Sequence, residues 1–173
     1  MRWFWIDRFT EFVSGQYAKG IKNVTMDEEV VDGYWPDYPI LPSTLIIEGM
    51  AQLGGILVAE HHQFEKQVVL AKVSKASFLS PARNGDQLRY TVTLDSVQDL
   101  GATVNAVSHR EGDLQAEVDL MFAFLEPGRF TDGPLFGPGD LRTMLRMMNF
   151  FNVAVDPKGN AVGEYPALCD EMG

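Results

Sequence analysis

The sequence predicts an α+β domain in which an antiparallel sheet curls round one long buried helix. Residues 43–62 carry apolar side chains on nearly every face of a helix, the pattern of a helix enclosed by other elements rather than lying on a surface. Strand-like runs follow at 68–76, 87–96, 102–108 and 114–125, several alternating apolar with polar residues as half-buried strands do. The last three runs are separated by hairpin-length breaks at Leu100-Gly101 and Glu111-Gly112-Asp113, so they are expected to be antiparallel neighbours.

The elements follow in order. Residues 3–6 and 17–25 are β-prone candidate strands, with Gly15 marking the turn before the second. Residues 26–42 change character. Three acids (Asp27, Glu28, Glu29) lead into a segment with prolines at 36, 39 and 42, which excludes regular helix and sheet and leaves a stiff loop. Ser43 or Thr44 can cap the helix that starts there, and Gly49, Gly54 and Gly55 let another backbone approach it closely. After Pro127 glycine and proline recur as an irregular connector. Residues 141–151 then place Leu141, Met144, Leu145 and Met148 at helical spacing, predicting a short helix packed on the domain or a neighbouring subunit. The expected organisation is one domain over 1–126 with an extension over 127–173.

Composition narrows the function. A hydrophobic fraction of 46%, a charged fraction of 22% and 173 residues describe an ordinary globular protein with a sizeable core. A net charge of −10 argues against a nucleic-acid partner, because phosphate binding needs a basic surface. The lone Cys169 forms no internal disulfide and fits a reducing compartment. The N-terminus is too soon interrupted by charge for a signal peptide, and no apolar run approaches the ~18–20 residues of a membrane span. These features predict a cytoplasmic protein.

Glu48, in the second turn of the apolar helix, is the residue that points to chemistry. A buried carboxylate needs a partner, a raised pKa or a route to the surface, so Glu48 either meets a basic residue, snorkels out or serves a site. Gln52, one turn on, shares its face. The proline-stiffened loop can hold side chains against the helix start, where free N–H groups form a site for a carbonyl oxygen or anion.

The segment Gly33-Tyr-Trp-Pro-Asp-Tyr-Pro-Ile-Leu-Pro-Ser-Thr-Leu-Ile-Ile-Glu-Gly-Met-Ala-Gln52 resembles the signature of the 3-hydroxyacyl-[acyl-carrier-protein] dehydratases, G-H-F-P-G-x-P-x-x-P-G-x-L-x-x-E-A-x-A-Q. Ala71-Lys-Val-Ser-Lys-Ala-Ser-Phe78 followed by Pro81 and Gly85-Asp-Gln-Leu88 resembles a second family block, and Asp7-Arg8 and Lys22-Asn-Val-Thr25 match family positions further upstream. The likeness runs over about residues 3–126. It implies a hotdog fold, a homodimer or an assembly of dimers, and an acyl carrier protein or coenzyme A thioester as partner; no metal-binding cluster is visible in the sequence and no cofactor is expected. In the family a loop histidine removes the α-proton of a 3-hydroxyacyl thioester. An acid on the helix of the other subunit helps the hydroxyl leave, and N–H groups at the helix start polarise the carbonyl. Carried over, the acid is Glu48 and the carbonyl donor is the N–H of Ser43, with Gln52, Trp35 and Pro36 as further substrate-binding positions.

The histidine does not carry over. Tyr34 occupies its position, 14 residues before Glu48 as the motif requires, and Asp37 and Ser43 replace two family glycines. A phenol with a pKa of about 10 is a poor base at neutral pH. His61, His62 and His109 lie elsewhere in the chain. Three readings of the site follow: a dehydratase or hydratase using Glu48 with Tyr34 or a water, a thioesterase in which Glu48 activates water, and a non-catalytic carrier-binding or partner subunit. Residues 72–89 also gather Lys72, Lys75, Arg83 and Arg89 against the single acid Asp86, a candidate docking surface for an acidic carrier or a coenzyme.

Overall fold

The computed structural model describes residues 4–28, 31, 37–125, 137–163 and 165–169. Strands β1 (Arg8–Val13) and β2 (Tyr17–Asn23) form a hairpin, and Gly15 in its turn takes a left-handed φ of 66°. A short β3 (Ile40–Leu41) precedes helix α1 (Ser43–His61). There follow β4 (Gln67–Phe78), β5 (Ala82–Arg83), β6 (Gln87–Gln98), β7 (Gly101–Arg110) and β8 (Asp113–Leu125). With β9 (Ala154–Val155) the main sheet runs β4-β8-β7-β6-β2-β1-β9. Among the described residues only the β1–β9 pairing is parallel. Strands β3 and β5 pair separately beside the start of α1.

Alternation builds the core. Leu88, Tyr90 and Val92 of β6, Val104 and Ala106 of β7, and Val118, Leu120 and Phe122 of β8 are all buried, two residues apart and therefore on one face. Helix α1 packs on that face, against β2, β4, β6, β7 and β8. It presents Ile46, Met50, Leu53 and Leu57, spaced as one helical stripe. Register shifts interrupt the β1–β2, β4–β8, β6–β7 and β7–β8 ladders. Such bulges bend and twist strands, and they curl this sheet round the helix. This is the hotdog arrangement.

The close approach depends on glycine. A Cβ on Gly49 would lie 2.5 Å from the carbonyl oxygen of Trp5 and 2.9 Å from a ring carbon of Tyr90. The family motif has alanine here. Gly49→Ala is nevertheless expected to lower the melting temperature, because overpacking costs about 1–3 kcal/mol and outweighs the ~1 kcal/mol gain in helix propensity. A melting temperature equal to or above the parent's would show that the Trp5 backbone yields.

Several expectations are corrected. Within the expected strand at 3–6, the described residues 4–6 form no strand: Trp5 is buried, but its N–H goes to the side chain of Gln52 at 2.9 Å. The first strand lies further on, where a bulge between Phe9 and Glu11 brings Phe9 and Phe12 inward together and hides the two-residue period. Neither Ser43 nor Thr44 caps α1. The N-cap is Pro42, with no side-chain cap bond. The helix is not enclosed all round within the chain, since Glu48, Gln52, Gly55 and Ala59 form a half-exposed stripe. The expected helix at 141–151 is two pieces, α2 (Pro138–Met147) and α3 (Phe150–Val153), separated at Asn149, whose φ of 66° is left-handed.

The extension is bound into the same core. Phe9 donates its N–H to Met148 O at 2.8 Å, and β9 pairs with the outer edge of β1. Leu145, Met148, Phe150, Tyr165 and Leu168 are buried with Phe9 and Phe12 in one hydrophobic cluster, while Leu141 and Met144 pack partly buried against it.

Candidate active site

Tyr34, Trp35 and Pro36 lie outside the described residues. Glu48, Gln52 and Ser43 are described, and their geometry makes a defined arrangement. The Trp5 N–H donates to Gln52 Oε1 at 2.9 Å, and Gln52 Nε2 donates to Glu48 Oε1 at 3.0 Å. An N–H can only donate, so the Trp5 bond fixes which amide atom is oxygen and turns Nε2 toward the carboxylate. Glu48 is thereby held at one oxygen. It is half-buried and forms no ion pair among the described residues, so it is neither the deeply buried acid nor the salt-bridged one that the sequence left open.

Ser43 opens α1. Pro42 O accepts from the N–H groups of Leu45 and Ile46, and among the described residues no acceptor faces the N–H of Ser43. A slot of about 240 Å³ begins there, between the β3–β5 pair and the end of β4, with Ile40, Leu41, Phe78, Leu79 and Gln115 in its wall. The arrangement offers free donors for an oxyanion about one and a half turns before a fixed carboxylate on the same helix.

Sequence reasoning missed the carboxylate that is deeply buried. Glu60 is 1% exposed and accepts from Ser14 Oγ and Tyr165 Oη, both at 2.8 Å. Burial, reinforced by the Glu60 carboxylate, pushes the Tyr165 phenol well above its usual range, so it stays a donor. The signal was available: Glu60 continues the stripe of Met50, Leu53 and Leu57, whereas Glu48 lies on the other face. Lys22, 5% exposed, pairs with Glu28 and, at 3.7 Å, with Asp7, and lies over the Trp5 ring. It ties the segment leading toward Tyr34 to the hairpin and to the residue that orients Gln52.

The histidines stand apart. His61 and His62 are at the far end of α1, ~20 Å from Glu48 at 1.5 Å per residue. His62 packs edge-on against Phe124, and burial, then the charges of Lys66 and His61, lowers its pKa. The four basic residues do not make one patch. Lys72 and Lys75 are on β4, Lys75 beside Glu117, while Arg89 is on β6 with β8 and β7 in between. Arg83 alone adjoins the slot, stacked on Tyr38 and bonded to its hydroxyl at 2.8 Å. Proximity along the chain was misleading because sheet order separates strands that are close in sequence.

The family model described as a FabA-like domain matches residues 3–119. The chain belongs to the FabA-like family. The 3-hydroxyacyl-[acyl-carrier-protein] dehydratase FabZ of Thermomicrobium roseum is 37% identical over 123 residues, covering 70% of this chain and 83% of the relative. The FabZ of Sulfurovum sp. is 39% identical over 124 residues, covering 66% and 82%. Among solved structures, Cj0977, a sigma28-regulated virulence protein from Campylobacter jejuni, superposes with a TM-score of 0.61 at 17% identity, covering 76% of this chain and 84% of that one. The dehydratase heterocomplex ApeI:P from Xenorhabdus doucetiae gives 0.52 at 14%, covering 64% and 89%. At these identities the two structures show a shared fold. The FabA-like match ends within β8, so α2, α3 and β9 lie beyond it. Against the dehydratase signature that residues 33–52 resemble, Glu48 stands at the position of the acid and Tyr34 at that of the histidine.

Proposed function

We propose that this chain is a cytoplasmic acyl thioester-binding enzyme of the 3-hydroxyacyl dehydratase type, interconverting 3-hydroxyacyl and enoyl thioesters in fatty-acid or related lipid synthesis. The observation that carries the reading is the Trp5–Gln52–Glu48 chain of hydrogen bonds beside the open start of α1. In dehydration the α-proton leaves to a base, the C–O bond at C3 breaks, and the departing hydroxide takes a proton to become water. Glu48, with one oxygen held by Gln52, supplies that proton. The Ser43 N–H stabilises negative charge on the thioester oxygen as the enolate develops. Proton removal falls to Tyr34 or a water it holds, with Trp35 and Pro36 as further substrate-binding positions. A neutral phenol makes this the weak step.

The thioester is carried by an acyl carrier protein or coenzyme A. The chain acts as a dimer or an assembly of dimers. Strand β4 is the open edge of the sheet and leaves Leu70 and Val73 39% and 38% exposed, which supports pairing across that edge. The catalytic unit is residues 1–126, with 127–173 as an extension that closes the β1 edge.

One observation favours a second reading: the helix acid is kept while tyrosine stands in the base's place, so the chain could lend Glu48 to a histidine-bearing partner. A panel of 3-hydroxyacyl, enoyl and saturated thioesters, on both carriers, tests these ideas. Slow hydration and dehydration without hydrolysis is the expected result. Hydrolysis alone would make this a thioesterase with Glu48 activating water, and turnover only after mixing with a histidine-bearing relative would make it a partner subunit.

A further inference from the structure

We propose that Gln115 recognises the pantetheine arm of the substrate, its side-chain oxygen accepting a hydrogen bond from the N–H of the cysteamine amide. The inference rests on the acyl-thioester reading and gives that site a second polar contact. Gln115, on β8, is 1% exposed and stands in the wall of the slot that starts at Ser43. Its Nε2 donates to Ser80 O at 2.7 Å. A carbonyl oxygen only accepts, so the two ends of the amide are assigned by chemistry. The remaining atom, Oε1, is buried and has no hydrogen-bond donor among the described residues.

A buried acceptor without a donor is costly and is rarely left so in a native protein. The slot is otherwise apolar near it, with Ile40, Leu41 and Phe78 in the wall, and the Ser80 bond keeps the carboxamide from turning away. The missing partner must therefore donate. Acyl hydrocarbon carries no donor, neither does an ionised phosphate or carboxylate, and the 3-hydroxyl of a substrate lies on the acyl side of the carbonyl, away from the arm. A secondary amide carries one. In a pantetheine thioester the first such amide lies two methylenes beyond the sulfur. A thioester whose carbonyl oxygen meets the Ser43 N–H can run its arm along the slot, methylenes against the apolar wall and amide N–H toward Gln115.

The test compares butyryl-pantetheine with the same compound methylated on the cysteamine nitrogen, titrated calorimetrically into the full chain and into Gln115→Leu. The parent protein is expected to bind the methylated compound roughly fivefold to tenfold more weakly, the range of one hydrogen bond. Gln115→Leu should bind both alike, with the weaker affinity. Equal binding of the two compounds by the parent overturns the assignment of Gln115 and leaves the thioester reading standing. Binding of neither refutes the thioester reading and this inference with it. If thermal melting shows Gln115→Leu to be unfolded, the comparison on the parent protein decides alone.

Discussion

Tyr34→His is expected to raise the dehydration rate of 3-hydroxybutyryl thioesters by about 10²–10⁴-fold, the usual contribution of a positioned general base. The parent carries a phenol where the family motif has an imidazole, and a group with an ordinary pKa of about 10 is almost never ionised at neutral pH. An imidazole near 6.5 is a competent acceptor there. The rest of the arrangement awaits it: Glu48 is fixed through Gln52 and Trp5, and among the described residues no acceptor faces the N–H of Ser43. Adding Glu48→Gln to Tyr34→His should return the rate to background, since an amide has no acidic proton for the leaving hydroxide. Rapid turnover by the parent that survives Glu48→Gln would sink the mechanism. Rapid parent turnover lost on Glu48→Gln would instead show that tyrosine, or a water it holds, does the base's work.

Phe150→Ala should destabilise the whole molecule by about 3–5 kcal/mol, the cost of emptying a fully buried aromatic site. Phe150 has no exposure, and its ring meets Phe12 at 4.8 Å and Phe9 at 5.5 Å, both edge-on. Those two rings belong to β1, one hairpin away from the strand that carries Tyr90 beneath Gly49. The cavity would therefore open inside a core shared by the extension and the sheet, not at a detachable appendage. Denaturant unfolding is the measurement. One cooperative transition at a clearly lower midpoint is expected, whereas a loss below ~1 kcal/mol, or a separate early transition of the extension, would show that residues 137–169 stand apart.

The sequence made the local patterns legible because each is written in a few neighbouring residues. Helix α1 follows from its apolar run, β6, β7 and β8 follow from alternation punctuated by Gly85, Gly101 and Gly112, and β4 follows from a β-prone run alone. The residues alone singled out Glu48 and a loop stiffened by prolines, whose restriction of φ acts within the chain itself, and the resemblance to the dehydratase signature paired Tyr34 with that acid. What depended on a partner distant in sequence was not legible. Lys72, Lys75 and Arg89 looked like neighbours until strand order put β8 and β7 between them. Phe9 and Phe12, three residues apart, both point inward because a bulge lies between Phe9 and Glu11.

By itself, then, the sequence determined the fold class, the central helix, the meander and the acid on the helix, since periodicity and backbone restriction are local properties. Only the tertiary structure decided that Ser14 and Tyr165 face the Glu60 carboxylate, that Trp5 sets the orientation of Gln52, and that no donor among the described residues meets the oxygen of Gln115. Each of these is a statement about which group stands opposite another across the core. Register, sheet order and desolvation choose that partner, and none of the three is set by residues adjacent in the chain.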